Sequence, residues 1–311
     1  MTRRDTTIAL AAGGVGLAVL LALTVTVVAR RSDPAPEPSP ALPEPVAVVA
    51  STTAQASSSP VTGEPVETPS VTRPGEVLAR EYAVEDLGTG EMLASRKSAD
   101  VWPLASLTKL MTAEVALRLI PADAPVLIVP VPGGNPSAPG IPVGSTFAMR
   151  DVLEIMLVSS SNEAAESLAA QVGREAFLAE MNATAAGWGL ANTSFQDPSG
   201  LSAGNRSTAR EYLELATRVR ASHPEVLRLT RQGSATVHAA GTGFPYTGYA
   251  THQLIGSPGF LGGKTGYTDE AQGNLLSLFR IGDREVAFVV LGSTQRFTDT
   301  RLLLATVKKN Q

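Results

Sequence analysis

The stretch Pro103-Leu-Ala-Ser-Leu-Thr-Lys-Leu-Met-Thr112 reads as the opening of a helix that carries a hydroxyl and an amine on one face. Leu107, Leu110, Met111, Ala113 and Leu117 recur at helical spacing and predict a helix over Ser106–Ile120. Ser106 and Lys109 stand three residues apart, so their side chains share a face. A serine hydroxyl is a weak nucleophile near pH 7 and needs a base within hydrogen-bond reach. A lysine serves if burial, or the positive end of a helix dipole, disfavours its ammonium form. The free N–H groups of the first helical turn, that of Ser106 among them, suit an oxyanion. Taken alone, Ser-x-x-Lys is more often a helix cap followed by a surface lysine than a catalytic pair.

Working outward, Glu81–Asp86, a Gly-Thr-Gly turn at 88–90 and Glu91–Ser95 predict a β-hairpin before this helix. After it, 121–146 is rich in Pro and Gly and reads as an irregular loop. Helices are predicted over Met149–Val158, Glu163–Val172, Glu175–Gly187, Thr208–Ser222 and Thr298–Val307, with a turn at Asp197-Pro198-Ser199-Gly200. Strands over Asn274–Arg280 and Arg284–Leu291 are joined by a Gly-Asp turn. Strands, then helices, then strands predict an α+β domain in which N- and C-terminal strands share one antiparallel sheet.

Two further clusters carry polar groups suited to chemistry. Ser160-Ser161-Asn162 falls between two helices. If it is extended, Ser160 and Asn162 project to one side and offer a hydroxyl and an amide; alternatively Ser161 or Asn162 caps the next helix. Lys264-Thr265-Gly266 follows Gly262 and Gly263 and precedes Tyr267. A Gly-flanked strand lets a peptide approach along its edge, where a cation and a hydroxyl meet a carboxylate. A Gly-rich turn with a surface lysine is the other reading.

The ordered set Ser-x-x-Lys, Ser-x-Asn, Lys-Thr-Gly resembles the serine D-Ala-D-Ala carboxypeptidases, the low-molecular-mass penicillin-binding proteins. The resemblance runs over roughly 80–305. It extends to the text around each motif, to Asn192–Leu201 and to Ser207–Arg210. It implies a β-lactamase/transpeptidase-like α+β fold, with a helical subdomain holding the Ser-x-Asn segment. It implies Ser106 as the acylated nucleophile, Lys109 as its base and Ser160 as a proton relay. Asn162 would hold the substrate amide, and Lys264 and Thr265 the terminal carboxylate region beside Gly266. The oxyanion hole would be the N–H groups of Ser106 and Tyr267. Arg296 matches an arginine near the substrate carboxylate in relatives, with a surface arginine as the alternative. Two segments depart from the family: Ala250-Thr251-His252 stands where Asn-Thr-Asn is usual, and the loop at 130–144 is idiosyncratic.

By the same resemblance the substrate is a peptidoglycan stem peptide ending in D-Ala-D-Ala, with β-lactams as covalent inhibitors and no cofactor. A D,D-endopeptidase would use the same site. A class A-like β-lactamase needs a further Glu in a Glu-x-x-Leu-Asn segment, which has no counterpart here. A non-catalytic wall-binding protein is the fourth reading.

The 311 residues include 25 Lys and Arg against 29 Asp and Glu, for a net charge of −4, which excludes an ordinary basic nucleic-acid binder. With no Cys, disulfides and thiolate chemistry are excluded. His223, His238 and His252 have no metal-ligand spacing. Residues 6–29 carry no charge and suffice to span about 30 Å of hydrocarbon. Residues 1–29 are therefore expected to be a signal anchor, or else a cleaved signal peptide. Residues 30–75, rich in Pro, Ala and Ser, are expected to form a disordered linker. The catalytic domain is expected over 76–311, outside the cytoplasmic membrane where peptidoglycan lies. The sequence ends soon after its last predicted helix, so no β-rich C-terminal domain or C-terminal anchor is expected.

Overall fold

The computed structural model describes residues 75–135, 137 and 140–310. The expected membrane segment and all of the linker except Gly75 lie outside the described residues. Among the described residues, no helix is long and apolar enough to cross a membrane.

The chain opens with strands β1 (Glu81–Asp86), β2 (Met92–Arg96) and β3 (Trp102–Pro103). A 3-10 turn (Ala105–Thr108) leads into α1 (Lys109–Leu119). Strands β4 (Pro125–Leu127) and β5 (Thr146–Ala148) precede α2 (Met149–Val158), α3 (Asn162–Val172) and α4 (Arg174–Gly187). Then come β6 (Arg206–Ser207), α5 (Ala209–Ser222), α6 (Pro224–Leu229), β7 (Ser234–His238) and β8 (Pro245–Tyr249). The chain closes with β9 (Phe260–Thr268), β10 (Gln272–Ile281), β11 (Arg284–Ser293) and α7 (Arg296–Lys309).

One five-stranded antiparallel sheet, in the order β2-β1-β11-β10-β9, joins the two ends of the domain as expected. Its register pairs Val84 with Phe288, Leu276 with Val289, and Gly266 with Asn274. Side chains alternate across the sheet. Ala83, Leu276, Ala287 and Val289 pack under the helical side with α1, α2 and α5. Val84, Leu275, Phe279, Phe288 and Val290 pack on the other face with Leu303 and Val307 of α7. There Phe279 meets Phe288 and Phe260 edge-on, at centroid distances of 5.9 and 5.5 Å. From Lys109 to Ala116 every residue of α1 is buried, which makes it the central helix.

Several local readings change. The helix expected from Ser106 begins as a 3-10 turn and becomes α-helical only at Lys109, because Ala105 sits at φ +49° and redirects the chain. The loop over 121–146 contains β4, which pairs with β5 at its far end. The C-terminal part of the sheet has three strands rather than two, since β9 pairs along its length with β10. The β7–β8 hairpin and α6 carried no expectation: 230–250 is rich in Thr, Gly and Ala, and its alternation is weak.

Candidate active site

The site assembles where the 3-10 turn, the α2–α3 junction, the Asp197–Gly200 turn and β9 meet. Lys109 and Lys264, both 1% exposed or less, supply its two amines.

Lys109 Nζ lies 2.8 Å from Ser106 Oγ, 2.8 Å from Asn162 Oδ1 and 2.5 Å from the Ser199 carbonyl. Burial pushes the amine down to about 7, against the pull of Asp197, Glu163 and Glu166. A protonated Lys109 donates to all three oxygens. A neutral one keeps two N–H donors and one lone pair. The Ser199 carbonyl and Asn162 Oδ1 can only accept, so they take the two donors. Ser106 is then the one neighbour with a proton to give, and the lone pair faces its hydroxyl. The hydrogen-bond inventory sets the direction of proton transfer.

Ser106 is placed by strain and close packing. Ala105, with φ +49°, stores roughly 1 kcal/mol or more of backbone strain just before it. Gly200, at φ +92°, packs so tightly here that a Cβ would stand 2.0 Å from the Ala105 carbonyl. Gly266 approaches from β9, where a Cβ would lie 3.1 Å from Ser106 N. Tyr212 donates its hydroxyl to the Leu107 carbonyl at 2.8 Å and ties the turn to α5.

The Ser160-Ser161-Asn162 segment joins both of its sequence readings. Ser161 caps α3, accepting from Ala164 N at 3.1 Å and donating to Glu163 Oε2 at 2.8 Å. Ser160 and Asn162 both face the amines, though not by the extended alternation expected. Ser160 sits at φ +63°, a left-handed conformation, and Asn162 already begins α3. Ser160 Oγ lies 2.8 Å from Lys264 Nζ.

Lys264 also donates to the Thr265 carbonyl at 3.0 Å. Burial drives its amine well below the ordinary lysine range, and the positive charges of Lys109 and Arg296 add to that effect. Thr265 is buried, and its hydroxyl shares a 2.5 Å hydrogen bond with Thr251. Among the described residues β9 is an edge strand, so one side of Lys264-Thr265-Gly266 has no pairing strand there. Tyr267 is exposed, with its hydroxyl 3.3 Å from Asp269. Arg296 is half-buried, and its Nη1 donates to the Gly266 carbonyl at 2.9 Å.

The structure thus brings Ser106, Lys109, Ser160, Asn162, Lys264, Thr265 and Gly266 together. Arg296 is tied to the strand backbone, and the Tyr267 side chain turns outward.

Sequence reasoning gave the Asp197–Gly200 turn a structural role, and its contribution to the site went unread. Asp197 is buried and accepts from the backbone N–H groups of Ser199, Gly200, Leu201 and Ser202 and from the Ser199 hydroxyl, at 2.6–3.2 Å. Asn205 clamps the same turn, donating to the Asp197 carbonyl at 2.9 Å and to Thr108 Oγ1 at 3.1 Å. The turn delivers the Ser199 carbonyl to Lys109. The spacing Asp-Pro-Ser-Gly with Gly at a left-handed position was the available signal.

His252 fills the place of the usual asparagine. Its Nδ1 accepts from Leu254 N at 3.3 Å, which leaves Nε2–H to donate to the Leu276 carbonyl at 3.0 Å. Burial lowers it to about 4, so it is neutral near pH 7. It packs beneath β9, where a Cβ on Gly263 would stand 2.7 Å from Nε2.

Residues 67–295 match the D-alanyl-D-alanine carboxypeptidase family, peptidase S11. A D-alanyl-D-alanine endopeptidase of Pseudomonas aeruginosa is 33% identical over 260 residues, covering 81% of this chain and 81% of its own. Penicillin-binding protein D2 of Listeria monocytogenes, in its ampicillin-bound form, superposes with a TM-score of 0.66 at 31% identity, over 74% of this chain and 97% of its own. A D-alanyl-D-alanine carboxypeptidase of Mycobacterium tuberculosis reaches a TM-score of 0.68 at 27% identity, over 76% and 94%. With its fold, its three motifs and most of its length matched, this chain belongs to the D-alanyl-D-alanine carboxypeptidase family of serine peptidases.

Proposed function

We propose that the protein removes the terminal D-Ala from peptidoglycan stem peptides through an acyl-enzyme on Ser106. One observation carries this reading: Ser106 Oγ lies 2.8 Å from a fully buried amine whose other two neighbours can only accept. Ser106 Oγ attacks the carbonyl carbon of the penultimate D-Ala, and its proton passes to Lys109 Nζ. The N–H groups of Ser106 and Tyr267 hold the oxyanion. The C–N bond breaks, and the proton returns from Lys109 Nζ to the leaving amine; Ser160, held by Lys264 at 2.8 Å, is the relay in this proposal. Water then attacks the ester, giving a proton to Lys109, which passes it back to Ser106 Oγ as the C–O bond breaks. Thr265 and Lys264 receive the substrate carboxylate, and Asn162 the stem amide. β-Lactams acylate the same hydroxyl and leave slowly, since the chain has no second base in a Glu-x-x-Leu-Asn segment.

The name of the Pseudomonas relative favours one other reading, a D,D-endopeptidase acting on cross-links. Mass spectrometry of products from a pentapeptide stem and from a cross-linked dimer separates the two. Loss of one D-Ala from the pentapeptide is expected, and cleavage of the dimer alone overturns that choice. Fluorescent penicillin should label the wild type and not Ser106→Ala. Rapid turnover of benzylpenicillin would carry a β-lactamase reading, and no label at all a wall-binding one.

We also propose that residues 6–29 tether the domain to the cell membrane, with 30–75 as the stalk and the catalytic domain outside. A reporter fused after Gln311 should be active only outside the cytoplasm.

A further inference from the structure

Arg296, the first residue of α7, does not stand free near the cleft. Its Nη1 donates to the Gly266 carbonyl at 2.9 Å. It reaches that oxygen over Gly273, the register partner of Tyr267. A Cβ on Gly273 would stand 3.2 Å from Arg296 Cδ and 3.3 Å from Nη1, so the missing side chain leaves the guanidinium its slot. The Phe297 ring supports the guanidinium at 5.1 Å. The start of α7 is held in turn by Asp299, which is fully buried. Asp299 accepts from Ser293 Oγ at 2.6 Å, Gln295 Nε2 at 2.9 Å and Leu78 N at 2.9 Å.

The Gly266 carbonyl belongs to the same peptide unit as the Tyr267 N–H. In a trans peptide the two point in opposite directions. Arg296 comes from the β10 side, and among the described residues β9 has no strand on its other side. The Tyr267 N–H opposite the bound carbonyl is therefore directed to the open edge. A cation on an amide oxygen draws density across the amide and makes its N–H a stronger donor. Close to this peptide unit lies Ser106 N, 3.1 Å from where a Cβ on Gly266 would be.

We propose that Arg296 is a positioning residue for the oxyanion hole: its guanidinium fixes and polarises the Gly266–Tyr267 peptide, so that the Tyr267 N–H meets the developing oxyanion. This rests on the proposed acyl-enzyme at Ser106 with Tyr267 N–H in the hole. It gives Arg296 a partner other than the substrate carboxylate, and the two roles separate experimentally.

The full chain and its Arg296→Gln and Arg296→Lys variants are acylated with two donors. One is a peptide ending in D-Ala-D-Ala; the other is an acyl-D-alanyl thioester whose leaving group has no carboxylate. Vibrational difference spectroscopy then reads the ester carbonyl of the β-lactam acyl-enzyme. In Arg296→Gln, acylation should slow about tenfold or more with both donors, a fraction of what removing an oxyanion donor costs. The ester stretch should move to higher wavenumber, and Arg296→Lys should restore part of both. A loss confined to the carboxylate-bearing donor returns Arg296 to carboxylate binding and overturns the proposal. So does a slowed rate with an unchanged stretch, which makes Arg296 a packing residue. A wild type that forms no acyl-enzyme overturns the proposed function and this inference with it. A wild type that labels while its variants keep the stretch overturns the inference alone.

Discussion

Lys109 and Lys264 are the same residue type, both wholly buried and both on the site, yet their surroundings have opposite character. The charges around Lys109 are carboxylates: Asp197, Glu163 and Glu166 offset part of its burial and leave it near 7. The charges around Lys264 are cations, Lys109 and Arg296, and they add to its burial. Lys109 is thus poised to change protonation state at working pH. Lys264 has only cations among the charges that shift it, a setting suited to the carboxylate it is proposed to receive. Burial lowers both amines, and the sign of the neighbours divides their roles.

Replacing each amine in turn is the strongest way to break that comparison. Lys109→Met removes the base, and acylation by a fluorescent β-lactam should fall about 10³–10⁴-fold in stopped-flow traces. Lys264→Met removes a carboxylate partner, and the loss should be nearer 10²-fold and concentrated in KM for peptide. Neither should melt earlier than the wild type, because methionine is easier to bury than an amine. Equal losses from both would erase the distinction.

The pH profile comes next in size. The base acts only when neutral, so the acylation rate should rise about tenfold per pH unit below 7 and level off above it. An inflection near the ordinary lysine range would show that burial is not what sets Lys109.

Asp197→Asn sharpens the same point. Asp197 raises Lys109, so its loss should move the inflection to lower pH. The amide cannot accept all the hydrogen bonds of the carboxylate, and stability should drop by about 1–3 kcal/mol in denaturant unfolding. An inflection that moved to higher pH would contradict the electrostatic account.

The smallest effect lies outside the site. Glu81 on β1 is fully buried, and neither carboxylate oxygen has a partner among the described residues. Burial, with Asp100 nearby, raises it to about 7. Between about 4.5 and 7 the unfolded chain releases this proton while the folded one keeps it. Stability is therefore lost across that window and stays lower above it. Glu81→Gln should remove that slope and gain on the order of 1 kcal/mol at pH 8. Parallel melting curves for the two chains from pH 4 to 8 would contradict it.

Much of the site was legible because its side chains are spelled out in three short motifs. Ser106 and Lys109 need only helical spacing to meet, and the hydrophobic pattern of α1 shows through the sequence. Asp-Pro-Ser-Gly announced a turn. What stayed hidden is carried by backbone atoms and dihedral angles. The Ser199 carbonyl has no side-chain signature, so its place beside Lys109 could not be read. Ala105 and Ser160 adopt left-handed conformations that their residue types disfavour, imposed by packing from distant segments. The β7–β8 hairpin escaped because Gly248, pressed against Ser159, breaks its alternation. His252 looked like an ordinary histidine; its setting comes from three aromatic and backbone neighbours remote in sequence.

The carbonyl that completes the cradle of Lys109 lies ninety residues downstream of it. Thr112 reaches across a similar span to the Pro198 carbonyl, at 2.6 Å. Closing a loop of that length costs chain entropy that the rest of the core must offset. Without the Asp197–Gly200 turn over it, Lys109 would lose burial that lowers it and move back toward the ordinary ammonium range. The chemistry is withheld until the whole domain has come together.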